Sequence, residues 1–277
     1  KIVLKTRRFR WSTPELLNDP FDMKFRLRHD LNKEIIKSRA LDRLWRSMYH
    51  GDKIENPNEF GSAILSLRKY FPKMDRINFD REFGQAFDEG FDNAISLLPK
   101  MLNEADDILK NSTIFCLSEE CNIPTTWSHY GDNHRGAVIR ISALPGLDSV
   151  WRMARPVEYT DEIPHLIDEE VMEGLISGSG ALDATHVLER LVYTKSKSWA
   201  YEREWRVWSA QAPRGQFRFE DNRFNEEEVT SIIFGCASSN DFIEDVIDIV
   251  REYGNEIDFM KVIKDDRSFS LNIKPLS

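Results

Sequence analysis

Residues 199–208 read WAYEREWRVW, and they concentrate the side chains best suited to chemistry. Read as one extended strand from Trp199 to Trp208, the stretch sends Glu202, Glu204, Arg206 and Trp208 to one face. Arg203, Trp205 and Val207 take the other, because side chains alternate along a strand. Two carboxylates about 7 Å apart on one face repel when both are ionised. Such a pair makes sense with cationic partners, with ample water, or where the raised proton affinity is put to use. The plain structural reading is a solvated face neutralised by Arg206. The flanking tryptophans favour a pocket wall, and they mark Glu202 and Glu204 as site candidates.

Other polar and aromatic residues could stand beside them. The apolar run 114–118 (IFCLS) ends in Ser118 and reads as a buried strand. Pro124 opens and Gly131 closes a helix of about two turns that carries Trp127 and Tyr130. A second strand, Ala137 to Ser142, follows. For Trp127 core packing is the plainer role, whereas Tyr130 is expected at the mouth of this compact unit. His129 and His134 could ligate a metal, but no third ligand stands at a matching spacing, and no metal site is assigned. Asn18-Asp19-Pro20-Phe21-Asp22 reads as a turn opening on a helix, with Pro20 near its start.

The elements that must position these groups follow from periodicity. Ile2 to Trp11 alternates apolar and basic residues and reads as a strand. From Phe21 to Lys110 the pattern is helical, with Phe25, Leu27, Leu31 and Ile35 in one run and Phe83, Phe87, Phe91 and Ile95 in another, punctuated by Pro57, Pro72 and Pro99. This makes 23–110 a mostly helical insertion within one domain, 1–277. Val150–Tyr159 reads as a strand, and Ile163–Ser177 and Leu182–Tyr193 as helices. Arg214–Glu220 reads as the return strand of a hairpin with the Trp199–Trp208 stretch. Thr230–Gly235 is a buried strand, Ser239–Tyr253 an amphipathic helix, and Phe259–Ile263 with Phe269–Ile273 a closing hairpin. Helices and strands do not alternate regularly, so the fold class is α+β, with small mixed or antiparallel sheets forming a cleft.

Composition narrows the function classes. With 277 residues, 41% of them hydrophobic, the chain can bury a core without staples. A net charge of -9 repels nucleic acid and anionic membrane overall, although the first forty residues hold a local basic cluster that includes Arg8 and Arg10. Three cysteines are too few for a disulfide framework, so a reducing cytoplasm is expected. No apolar run is long enough to span a bilayer, and no membrane partner is expected. No glycine-rich phosphate loop is present, against a Walker-type hydrolase or a dinucleotide-binding βαβ unit.

The chain resembles a bacterial family known only as a domain of unknown function, numbered 2971. The likeness rests on Asn18 to Asp22, Phe115 to Ser118, Trp127 to Gly131, His134 to Gly136, Lys197 with Trp199, Tyr201 to Arg206, and Ile232 to Gly235. More distantly, a basic early strand, a strand ending in serine followed by aromatics, and a late Glu-x-Glu resemble the layout of ADP-ribosyltransferases. That resemblance implies NAD in a cleft between two small sheets. Glu204 would be the carboxylate that stabilises an oxocarbenium-like ribose, and Glu202 would orient the acceptor. Ser118 would support the cleft and Tyr130 or Trp127 stack on nicotinamide, with Arg206 beside them and Arg8 or Arg10 as the early basic residue. It further implies a toxin or phage-defence effector that modifies a protein or nucleic acid and has a neutralising partner protein. Two other classes stay open. One is a metal-dependent nuclease or phosphoesterase using Glu202, Glu204 and Asp19 or Asp22, and the other is a non-enzymatic module for a ligand or nucleic acid.

Overall fold

The short apolar runs pair into separate sheets, and most of the helical runs gather into a unit of their own. The computed structural model describes residues 1–24, 30–70, 73–163, 165, 167–180, 184–211, 213 and 217–276. One compact unit comprises Lys1–Lys24, Ile108–Asp161 and Tyr193–Ser277, and the other comprises Phe25–Asp107 and Glu162–Val192. The class is α+β. The helical unit takes in 162–192 as well as the segment that periodicity marks as helical.

The chain begins with a helical turn, α1 (Ile2–Thr6), closed by Arg7 in the left-handed region at φ 54°. Strand β1 (Arg8–Ser12) follows, so the continuous strand expected over Ile2–Trp11 is split. The Thr6 hydroxyl donates to the Ile2 carbonyl at 2.9 Å, a local bond that competes with a strand ladder. At 18–22 the expected turn forms, and Asp19 Oδ1 accepts from the Phe21 N–H at 2.9 Å. No helix starts over 20–24; Phe25 and Leu27 lie outside the described residues, as does Pro72.

In the helical unit α2 (Lys33–Tyr49) and α3 (Glu59–Leu67) both begin at asparagines. The Asn32 and Asn58 side chains accept from the Ile35 and Gly61 N–H groups. α4 (Arg76–Lys110) lies in this unit up to residue 107 and continues through Pro99. Leu41, Leu44, Met48, Ile64 and Phe79 form the shared core.

The other unit resumes with β2 (Thr113–Ser118), α5 (Pro124–Tyr130) and β3 (Ala137–Ile141) where expected, but β2 is buried only at Thr113 and Ile114, because the rest of it lines a cleft. Over Val150–Tyr159 the expected strand breaks into a 3-10 turn, β4 (Arg155–Pro156) and β5 (Glu158–Thr160). Pro156 has no N–H to continue a ladder, and β4 and β5 join different sheets. Back in the helical unit, α6 (Glu169–Ser177) starts at Asp168 and stops at Gly178 with φ 99°, and α7 (Ala184–Val192) follows. α6 begins later than periodicity suggests, and residues 164, 166 and 181–183 lie outside the described residues.

The remaining elements are β6 (Thr194–Ser196), β7 (Glu204–Ser209), β8 (Phe219–Arg223), β9 (Val229–Phe234), α8 (Asn240–Arg251), β10 (Asp258–Lys264) and β11 (Leu271–Pro275). The five-stranded sheet runs β4-β7-β2-β1-β8, and the four-stranded sheet runs β11-β10-β9-β3. β7 is flanked on both sides by β2 and β4, so β8 pairs antiparallel with β1 and not in the expected hairpin. Residues 214–216 of that expected strand lie outside the described residues. The closing hairpin of β10 and β11 forms as expected. β9 is buried on both faces, which explains its unbroken apolar run. Ile232 and Phe234 join Phe9, Trp11, Val207 and the apolar face of α8, while Ile233 packs with Trp127, Val262 and Leu271. Among the described residues no helix is long and apolar enough to cross a membrane.

Candidate functional site

Residues 199–208 do not form one strand. Ser196 accepts from the Ser198 N–H and starts a 3-10 helix over Lys197–Glu202, which ends at Arg203 in the left-handed region at φ 48°. Only then does β7 begin, at Glu204. A left-handed residue with a side chain is uncommon and costs on the order of 1 kcal/mol. Here it turns the backbone so that Glu202 and Glu204 meet one cation despite lying on different elements.

That cation is Lys195, from β6. Its Nζ donates to Glu202 Oε2 at 2.6 Å and to Glu204 Oε2 at 2.8 Å, and it lies 3.5 Å from Asp22 Oδ2. Arg206 closes the cluster from the next inward position of β7. Its Nε donates to Glu204 Oε1 at 2.6 Å, and its Nη2 reaches Asp22 Oδ2 at 2.7 Å and Glu204 Oε2 at 3.1 Å. All five side chains belong to residues no more than 5% exposed, and Arg206 is fully buried. Three carboxylates against two cations leave one net negative charge in a dry wall.

Burial works against every one of these charges, and the partners decide the outcome. For Glu204 burial raises the proton affinity, but attraction and hydrogen bonding from Arg206, with Lys195, outweigh it and lower the pKa to about 2. Lys195 and Arg206 are both held above their ordinary values, since the carboxylates overcome the desolvation that would lower them. For Asp22 burial prevails over Arg206 and Lys195, and its proton affinity is raised.

The cluster forms part of a cleft of about 930 Å³. β1 and β2 line it from one sheet and β3 from the other, with apolar walls that include Phe9, Ile139 and Trp151. Tyr130, at the end of α5, donates its hydroxyl to Glu202 Oε1 at 2.7 Å and accepts from Asn18 Nδ2 at 3.0 Å. Burial and the Glu202 carboxylate push its phenol up. Ser118 sits directly opposite Glu204 in the antiparallel β2–β7 register. Its Oγ donates to the Glu202 carbonyl at 2.6 Å and so ties the 3-10 turn to the sheet. The Glu204 N–H is in turn bonded to the Tyr159 hydroxyl at 2.8 Å. Cys116 has surface open to the cleft, yet the dense wall around it desolvates the thiol, which together with Glu204 raises its proton affinity.

The structure thus brings Glu202, Glu204, Arg206, Tyr130 and Ser118 together. Trp127 lines the same cleft but is 2% exposed, and its Nε1 donates to the Cys121 carbonyl. Arg8 and Arg10 both engage Asp221 of β8, Arg8 through the backbone carbonyl and Arg10 through the carboxylate at 2.9 and 3.1 Å. Arg10 also lies over the Phe219 ring, 3.6 Å from its centroid. Sequence reasoning missed Lys195 altogether and took Asp22 only as a possible metal ligand. The signal for a second cation was the carboxylate pair itself, but it carried no address. A second cavity, in the helical unit, is lined by apolar side chains and offers no acid–base group.

No curated protein and no solved structure gives a significant match to the chain. One family profile does, over a stretch that supplies Tyr130, Tyr159, Lys195, Glu202, Glu204 and Arg206 but neither Asn18 nor Asp22. Residues 126–207 match the model of the family described as a protein of unknown function, DUF2971, and that segment holds most of the charged cluster.

Proposed function

We propose that the cleft binds NAD as a substrate and breaks its nicotinamide–ribose bond, passing the ADP-ribose to a protein or nucleic-acid acceptor. The observation that carries this reading is the placement of Glu204, opposite Ser118 in register, in a wall that holds one excess negative charge beside apolar surface. As the C–N bond breaks, its electron pair moves onto the pyridine nitrogen and positive charge develops on the ribose. Preorganised negative charge in a water-poor site stabilises that charge far better than water does. The acceptor then supplies the electron pair of the new bond, and Glu202 orients it and takes up its proton. A volume near 930 Å³ lies within the range of small-molecule sites and suits a dinucleotide.

The metal-dependent alternative is less well supported. The carboxylate oxygens of Glu202 and Glu204 that a divalent ion would need are already engaged by Tyr130, Lys195 and Arg206. Among the described residues no group of three His, Cys, Asp or Glu side chains could hold a metal ion.

The test is calorimetric titration with NAD together with nicotinamide release, on the wild-type chain and on Glu204→Gln. This variant leaves two carboxylates facing two cations, so the fold has no unpaired buried charge to absorb. Binding should survive within severalfold while release falls by about 100-fold or more, the scale set by loss of one preorganised electrostatic group. A wild-type protein that neither binds NAD nor releases nicotinamide sinks the reading.

A further inference from the structure

Five of the six carboxylate oxygens in the charged cluster have partners. Glu202 Oε1 accepts from Tyr130 and Oε2 from Lys195, Glu204 Oε1 accepts from Arg206, and Glu204 Oε2 accepts from both cations. Asp22 Oδ2 takes Arg206. Asp22 Oδ1 is buried and has no protein partner, in a side chain that is 2% exposed and belongs to the cleft lining. Buried carboxylate oxygens are rarely left so, because a charged acceptor taken out of water needs a donor.

We infer that Asp22 is a ligand-binding residue whose Oδ1 accepts a hydrogen bond from a hydroxyl of the nicotinamide ribose, an assignment that rests on the NAD reading above. Position selects the ribose. Arg206 Nη2 bridges Asp22 Oδ2 and Glu204 Oε2, so the two carboxyl groups sit side by side, and both residues line the cleft, next to where the ribose would lie. A donor is required because Asp22 adds the third negative charge to a cluster with only two cations. Burial already raises its proton affinity against the pull of Arg206, so it is the carboxylate with the most to gain from a ligand hydroxyl. The turn that carries it is set from within by the Asp19 carboxylate and from outside by the Asn18–Tyr130 bond, so Asp22 is presented on a constrained segment.

The test crosses a change on the protein with a change on the ligand, so that only a direct interaction gives a non-additive result. Binding of NAD and of analogues lacking the 2′- or the 3′-hydroxyl of the nicotinamide ribose is measured on the wild type and on Asp22→Ala, with melting curves to establish that the variant is folded. The wild type should bind one of the two analogues about tenfold more weakly than NAD, the scale of a hydrogen bond to a charged group. Asp22→Ala, which removes the acceptor altogether, should bind NAD about tenfold more weakly and no longer distinguish it from that analogue. If the folded variant keeps the wild-type preference, Asp22 does not hold the hydroxyl and the assignment is overturned. Indifference of the wild type to both analogues overturns it without any variant. Failure of the wild type to bind NAD at all overturns the NAD reading itself, and the assignment with it.

Discussion

Replacing Lys195 by methionine tests whether the buried cluster is balanced as its geometry implies. Met retains the length of the side chain but removes a charge that touches Glu202, Glu204 and Asp22 at 2.6, 2.8 and 3.5 Å. Three carboxylates then face Arg206 alone. At an effective dielectric constant of 20, two unit charges 4 Å apart interact with about 4 kcal/mol. Three such contacts are lost, while the desolvation of the ammonium is no longer incurred. Removing one partner of a buried pair costs about 3–5 kcal/mol in net terms, and we expect Lys195→Met to fall in that range at pH 7.5. The cost should also depend on pH in a definite direction. Without Lys195 the remaining carboxylates have higher proton affinity when folded, so the folded variant takes up protons more readily than the wild type does. The difference in stability must then shrink as the pH falls. Urea denaturation followed by circular dichroism at pH 7.5 and pH 5 measures both quantities. A cost below about 1 kcal/mol, or one that grows on acidification, would mean that the ion pairs do not hold the site together.

Acid should act on the wild type through Glu204. Its pKa is depressed from 4.5 to about 2, so its contribution is present above the unfolded value and is lost as the pH falls through about 2. The full contribution is about 3 kcal/mol, and the stability gap between wild type and Glu204→Gln should close by that order between pH 5 and pH 2. Asp22 works in the opposite sense, since its raised pKa stabilises the protonated form, so the net acid limb of the wild type should be shallower than Glu204 alone dictates. Gly235→Ala tests a close approach of backbone to backbone. An added Cβ would lie 2.1 Å from the His134 carbonyl oxygen, which also accepts from the Ala237 N–H. Because neither side can yield as a flexible side chain would, destabilisation of about 3 kcal/mol is expected in a thermal melt, the upper end for overpacking. An unchanged melting temperature would show that the 131–136 turn shifts freely.

Local signals in the sequence were reliable where local physics decides. The proline and glycine that bracket α5, the apolar run of β9 and the amphipathic period of α8 all stand where the residues put them. The failures share a cause. Ile2–Trp11 and Trp199–Trp208 both show alternation, yet each is split by an arginine in the left-handed region, at Arg7 and at Arg203. A positive φ at a residue other than glycine is imposed by its surroundings and leaves no mark in a hydrophobic period. The partner of β8 was misjudged for a related reason. Strand order depends on which edges are still open, and β7 had none.

For the site, the sequence by itself determined that Glu202 and Glu204 lie close together, that Arg206 stands near them, and that Ser118 ends a strand. It also limited two carboxylates so placed to ample water, a use for their raised proton affinity, or cationic partners. Only the tertiary structure decided which ones, by folding Lys195 from β6 and Asp22 from the 18–22 turn onto β7. It likewise paired Arg8 and Arg10 with Asp221, Arg10 at the same time lining the cleft. The physical reason is that helices and strands are specified by near neighbours, which repeat at a readable period. A buried charge is balanced by whichever segments the fold brings within about 3–4 Å, and no spacing along the chain encodes that meeting.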